Sequence, residues 1–343
     1  MSDDTTEDLE SEYDLPRAVY SPTGSRPIPL SKLMAIRLTD RVNKIGHSTA
    51  VHYERCIRKF GEFLGRPATI ADLTIDSVMD WMEWMVNDNE MRPTTANANA
   101  KQIKAIWGWA ASRGYLDLGP PSRFKLPEER PIPDSWSPKE METLFAAAAE
   151  LPGTIGPHWA NDFWTAVLWF AFNTGERAGG IFQLRACNID LQAGWAEIPA
   201  KDRKAERLAM RWWLSPSCIE AIGRIAPRSR GRAFDGLYRF ESCHYKAYSK
   251  LLASSGLGKG RRKGLQKMRR TVATWITMRG GQPSIWLGHA PKTVAEGHYV
   301  DRWTTQTNQR NIWPIDSFDP LEGLPRANTT GATKIRRRIV CRR

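Results

Sequence analysis

The sequence predicts a mainly α fold in two domains, with one small β-hairpin in the second. Three observations carry that expectation. Apolar residues recur at helical spacing through most of the interior. Six prolines (Pro120, Pro121, Pro127, Pro131, Pro133 and Pro138) crowd residues 117–138, where they stop helices and stiffen the chain. One stretch reads as β: residues 195–199 and 208–214 flank the charged run Lys201-Asp202-Arg203-Lys204-Ala205-Glu206. The expected layout is a disordered acidic arm over 1–29, a helical domain over 30–116, a proline-rich linker over 117–138, a mostly α domain over 139–315 and a flexible basic tail over 316–343.

In the first domain, Ala50, Tyr53, Cys56, Ile57, Phe60, Phe63 and Leu64 fall at amphipathic spacing, with Ser48 as the expected N-cap. Val78, Met79, Met82, Met85 and Val86 mark a second helix, and the cluster Trp81, Met82, Trp84, Met85 reads as core packing. Thr94 and Thr95 open a third helix, whose apolar face holds Ile103, Ile106, Trp107 and Ala110 and which Gly114 stops. Lys101 and Lys104 lie roughly opposite that face, placed to meet phosphates or simply water. The second domain opens with a helix near 139–151. A strongly apolar helix over 162–172 follows, ending at Asn173-Thr174-Gly175, and then a short helix to Leu184. After the hairpin, helices are expected at 238–254, 266–278, 284–287, 293–299 and 303–309.

The formal net charge is +13, and it is unevenly spread. Seven acids and no base stand in residues 1–14 (Asp3, Asp4, Glu7, Asp8, Glu10, Glu12 and Asp14), so the rest is more basic still. That excess points to a polyanionic partner, nucleic acid first. The longest apolar run, 163–172, falls far short of the ~20 residues of a spanning helix, and no signal-peptide pattern opens the sequence. Five scattered cysteines (Cys56, Cys187, Cys218, Cys243 and Cys341) without a CxxC argue against a disulfide framework or zinc site and for a reducing compartment. Membrane, collagenous and secreted disulfide-rich classes are thereby excluded.

No GxxxxGK[ST], HExxH or His-x-His pattern is present, so neither a P-loop enzyme nor a metal hydrolase is supported, and no cofactor or metal is expected. What remains is a set of cations and a tyrosine in four segments. These are Thr174-Gly175-Glu176-Arg177, followed by Leu184-Arg185 and Ile189-Asp190-Leu191; Lys201 at a strand end; Gln266-Lys267-Met268-Arg269-Arg270-Thr271-Val272-Ala273-Thr274; and Leu287-Gly288-His289 with Tyr299 ten residues on. In this order they resemble the boxes of the tyrosine recombinase (phage integrase) family: T-G-x-R, a hairpin lysine, H-x-L-R-H/R-T-x-A-T, then L-G-H and a tyrosine. Residues 94–116 are similar to the last helix of that family's core-binding domain through Thr95, Asn99, Ile103, Trp107, Trp109, Ala110, Gly114 and Leu116. The resemblance covers about residues 30–315. It implies a helical SAM-like core-binding domain joined to a catalytic domain of the DNA breaking-rejoining fold.

The resemblance also implies a chemistry. Tyr299 is the nucleophile toward a DNA phosphodiester, and Arg177 and Arg269 hold its non-bridging oxygens. Lys201, with Lys204 as rival, protonates the leaving 5′-oxygen, and His289 donates to a phosphate oxygen. Two positions depart from the family pattern. Gln266 stands in place of a histidine and can hydrogen-bond a phosphate but not shuttle a proton at neutral pH. Gly180 stands three residues past Arg177, where a carboxylate is frequent, and Glu176 is the candidate substitute as the arginine's partner. Lys101, Lys104, Arg185, Lys204, Arg261, Arg262, Lys263 and Arg270 are candidate contacts to the DNA backbone. The implied assembly is a homotetramer on double-stranded DNA, with residues 303–313 packing on a neighbouring protomer, in a prokaryotic or phage-like cytoplasmic, nucleoid-associated setting. Three rivals stay open: a DNA-binding protein of this fold without catalysis, to which Gln266 gives weight; a type IB topoisomerase-like monomer; and a metal-dependent nuclease or transposase.

Overall fold

The computed structural model describes residues 27–39, 45–122, 124–129, 133–203, 209–225, 231–235, 241–258 and 264–288. It divides into two compact units, residues 1–131 and 132–343.

In the first unit the described helices are α1 (Leu30–Leu38), α2 (His47–Leu64), α3 (Ile75–Asn87) and α4 (Pro93–Ser112). The amphipathic spacing of α2 buries Ala50, Tyr53, Cys56, Ile57 and Phe60. Gly46, not Ser48, holds its cap position, because the Gly46 carbonyl already accepts from the N–H groups of Thr49 and Ala50, and Ser48 falls inside the first turn. Trp81, Met82 and Met85 of α3 are fully buried, with the Trp81 ring 5.1 Å from that of Phe60. Burial of each such side chain contributes about 1.5–3 kcal/mol. Pro93 starts α4 at a position where its missing N–H loses no bond, and Gly114 follows the helix at φ 74°. Part of the proline-rich stretch lies along α4. Asn97 exchanges two 2.9 Å bonds with the backbone of Leu126, and Trp107 Nε1 donates to the Leu118 carbonyl at 2.8 Å. At the other end Ile28 and Pro29 pair with the 68–70 segment.

The second unit opens with α5 (Pro138–Ala149), fixed by a capping box in which Ser137 and Glu140 satisfy each other's backbone N–H groups. A short ladder, β1 (Thr154–Ile155) with β2 (His158–Trp159), leads into α6 (Ala160–Thr174). Every residue of α6 from Phe163 to Thr174 is buried. A helix apolar on all sides must be enclosed, and α5, α8 (Pro216–Ile225) and α10 (Leu265–Met278) enclose it. Between them run α7 (Ala178–Gln183) and an antiparallel sheet of β3 (Ile189–Asp190), β4 (Trp195–Ile198) and β5 (Met210–Trp213) in that order. Trp195 lies opposite Trp213 and Ile198 opposite Met210. The described part ends with α9 (Glu241–Ser254), α10 and α11 (Pro283–Trp286). The fold is mainly α with small antiparallel sheets, as the periodicity implies. Sequence reasoning passed over α1, β1, β2, β3 and α8; the helices expected at 293–299 and 303–309 lie outside the described residues. No helix among the described residues is long and apolar enough to cross a membrane.

Candidate active site

The site of the second unit is built where the C-terminus of α6 meets the start of α10 and the end of α11. The chain leaves α6 through Gly175 in a left-handed turn at φ 62°. A Cβ there would overlap the Leu287 side chain and stand 3.2 Å from Val272 Cγ1, so glycine is required twice over. The turn is held by α6's last polar residues. Asn173 is fully buried; its Nδ2 donates to Trp213 O at 2.6 Å and its Oδ1 accepts from Ser215 N at 2.8 Å. Thr174 Oγ1 donates to Phe170 O and accepts from Glu176 N. Trp286 Nε1 donates to Asn173 O at 3.2 Å, and Trp212 Nε1 donates to Trp286 O at 3.1 Å. A chain of hydrogen bonds thus joins β5, α11 and the end of α6.

Arg269, on α10, is 4 % exposed. Its Nη1 donates to Gly175 O at 2.8 Å and its Nη2 to Leu287 O at 3.0 Å. Burial pushes its pKa down to about 10, the nearby Arg177 cation pushes the same way, Glu176 partly offsets both, and Arg203 lowers it further. It therefore stays charged at neutral pH. Arg177 caps α7. The residue is half-buried, and its guanidinium makes no hydrogen bond or ion pair among the described residues. Glu176 does not pair with it. One oxygen of that carboxylate accepts the Arg177 backbone N–H at 2.8 Å, and the other takes the guanidinium of Arg203.

Lys201 stands exposed in a single 3-10 turn (Ala200–Asp202) just past β4. Gln266 is exposed at the start of α10, one turn before Arg269. Arg270 is engaged with Asp134: Nε donates to its carbonyl at 2.9 Å and Nη2 to its carboxylate at 2.7 Å. Lys267, 5 % exposed, lies 3.8 Å from the centre of the Trp136 ring and 3.2 Å from Asp134 Oδ2. Trp136 N donates to Thr271 Oγ1 at 2.8 Å, so α10 is fastened along residues 134–136. Arg185 is exposed. In the first unit, Lys101 is exposed, whereas Lys104 is half-buried with its Nζ 4.3 Å over the Phe124 ring. His289, Tyr299, Lys204, Arg261, Arg262 and Lys263 lie outside the described residues.

Of the expected site residues, then, Arg177 and Arg269 stand together, with Lys201 two residues from Arg203 at their edge. Sequence reasoning missed Arg203, Asp134 and Lys267. The signal for Arg203 was a third base inside a hairpin run already credited with two.

Residues 30–126 match the model of the phage integrase SAM-like domain. Known structures resemble the chain over most of its length. The Tn1549 transposon integrase in complex with a circular intermediate DNA is similar at a TM-score of 0.61, with 14% identity over 82% of this chain and 99% of that one. A lambda integrase dimer bound to a COC' core site is similar at 0.57, with 14% identity over 77% and 94%.

The chain shares the fold of these two integrases.

That fold brings the T-G-x-R turn and the α10 arginine to one place, as the geometry above describes. Prophage integrase IntF of Escherichia coli (strain K12) is 24% identical over 251 residues, 68% of this chain and 50% of that protein. The chain spans about half the length of this curated relative.

Proposed function

We propose that this chain is a site-specific DNA recombinase that cuts and rejoins double-stranded DNA through a 3′-phosphotyrosyl intermediate. The observation that carries the reading is the half-buried residue Arg177, its guanidinium without a partner among the described residues, beside the buried Arg269. Two cations this close repel one another, and an anion between them removes that cost. A phosphodiester with two non-bridging oxygens has the charge and shape for two planar forks. Because Arg269 hangs on two backbone carbonyls, its fork is set before substrate arrives, which is where electrostatic catalysis gains most.

In the reaction Tyr299 Oη gives up its proton to solvent water and attacks phosphorus, the bond to O5′ breaks, and Lys201 protonates the leaving O5′ to give the 5′-hydroxyl. Attack by a 5′-hydroxyl reverses these steps. One diester replaces another, so no nucleotide hydrolysis is needed. Lys101 and Arg185, exposed and basic, contact the DNA backbone. Four protomers assemble on paired sites, residues 303–313 packing in trans.

The test is a nicked duplex carrying the cognate site, in EDTA. The wild type is expected to form a covalent adduct, and Tyr299→Phe none. Tight binding of that duplex without adduct supports instead a DNA-binding protein that has lost catalysis, the reading Gln266 favours. Relaxation of any supercoiled plasmid by a monomer supports a topoisomerase, and activity abolished by EDTA a metal-dependent nuclease.

A further inference from the structure

Beside the two site arginines lies a second, self-neutralised pair. Glu176 is 3 % exposed and Arg203 is 7 % exposed. Arg203 Nε and Nη2 both donate to Glu176 Oε2, at 3.1 and 2.8 Å, and Nη2 also donates to Leu287 O at 3.2 Å. Glu176 Oε1 holds the Arg177 backbone N–H. The pair therefore ties three stretches together: the carboxylate joins the Arg177 turn to the turn of Lys201, and Arg203 joins both to the end of α11.

Two glycines make room for it. A Cβ on Gly180 would stand 2.8 Å from Glu176 Cγ and 3.1 Å from its Cδ and Oε1. The carboxylate of residue 176 thus fills the space a side chain at 180 would claim, and residue 180 is where the resemblance led us to expect an acid. A Cβ on Gly288, at φ 62°, would stand 2.6 Å from Arg203 Nη1 and 2.8 Å from Nη2. Positions 176, 180, 203 and 288 are mutually determined.

The geometry points to Glu176 and Arg203 as a buried positioning pair for this site, with the acid moved from position 180 to 176 and Arg203 holding the Lys201 turn and the Leu287–Gly288 turn against the Arg177/Arg269 forks. This rests on the recombinase reading above. A buried ion pair adds little net stability, since desolvation offsets its attraction, and a matched apolar pair can replace it without unfolding the protein. What such a replacement removes is the directional tie to Leu287 and to the hairpin turn.

The experiment compares wild type, Arg203→Met, the fold-preserving Glu176→Met/Arg203→Met, and Glu176→Ala with and without Gly180→Glu. Single-turnover adduct formation on the nicked duplex is expected to fall on the order of 100-fold in Arg203→Met and in the double Met variant, while duplex affinity changes less than about threefold. Gly180→Glu is expected to restore at least about tenfold to Glu176→Ala, a rescue that a merely structural role would not give. Backbone hydrogen exchange at 200–203 and 287–288 is expected to quicken in Arg203→Met and in the double Met variant, with α6 unchanged. Adduct formation at the wild-type rate in the folded double Met variant overturns the pair. A wild type that forms no adduct removes the recombinase reading instead, and the exchange measurement then decides the pair by itself: unchanged protection at both turns overturns it.

Discussion

Arg269 donates to the carbonyl oxygen of Gly175 at 2.8 Å across 94 residues of sequence. This bond, with its counterpart to Leu287, makes Arg269 a structural clamp as well as a proposed phosphate-binding cation, whereas Arg177 carries the proposed role alone. The two arginines should therefore fail differently. Arg177→Ala is expected to leave the free energy of urea unfolding within about 0.5 kcal/mol of wild type while lowering adduct formation about 100- to 1000-fold. Arg269→Met should lose cleavage to at least the same degree and also cost about 1–3 kcal/mol, because the buried Gly175 carbonyl loses the guanidinium donor and the Leu287 carbonyl keeps only its bond from Arg203. Equilibrium unfolding alongside single-turnover cleavage separates the two outcomes.

Gly175→Ala tests the turn itself. The added methyl meets the Leu287 side chain and Val272, and the backbone must stay left-handed. Together these should cost about 2–4 kcal/mol, read as a lowered unfolding midpoint. A variant as stable as wild type would show that the close approach of α6, α10 and α11 is not required.

Asp134 predicts a pH dependence. Burial pushes its carboxyl up, but the hydrogen bond and charge of Lys267 with the charge of Arg270 outweigh this and hold it below the usual aspartate range. A carboxyl depressed in the folded state adds stability that is complete above its unfolded pKa of about 4. That stability is lost as pH falls through the folded value. Since the carboxylate is half exposed, the gain is under about 1 kcal/mol. Asp134→Asn should be less stable than wild type at pH 7, and the difference should shrink below pH 4. Urea unfolding at the two pH values checks it.

Salt dependence distinguishes free cations from engaged ones. Each cation that neutralises a phosphate contributes roughly one unit to the slope of log affinity against log salt. Lys101 is exposed, while Arg270 is already bound to Asp134. Lys101→Ala should flatten the slope by about one; Arg270→Ala should leave it nearly unchanged. Fluorescence anisotropy with a labelled duplex between low and moderate salt measures both.

Much of this fold was legible because helical periodicity is a local signal. The stripe from Ala50 to Phe60 and the apolar run before Gly175 each announce their helix without reference to the rest of the chain. α8 carried the same signal in Cys218, Ala221, Ile222 and Ile225 and was simply passed over. The two- and four-residue strands are another matter: β3 exists because β4 pairs with it, and two residues hold no period of their own. At the candidate site, Arg177 and Arg269 were visible through the spacing of their motifs. Arg203 was not, since its partner lies 27 residues away. Nor was the engagement of Arg270, whose acid is 136 residues away in a stretch read as linker.

The supports of Arg269 are main-chain oxygens, present whatever residue occupies position 175 or 287. Genetic drift at either place cannot delete the acceptor; it can only displace it. The neighbouring acid–base couple has no such insurance, because one codon change at either member abolishes it. Over evolutionary time the first arrangement should outlast the second, and distant descendants of this chain should vary at 203 together with 176 while keeping an arginine at 269.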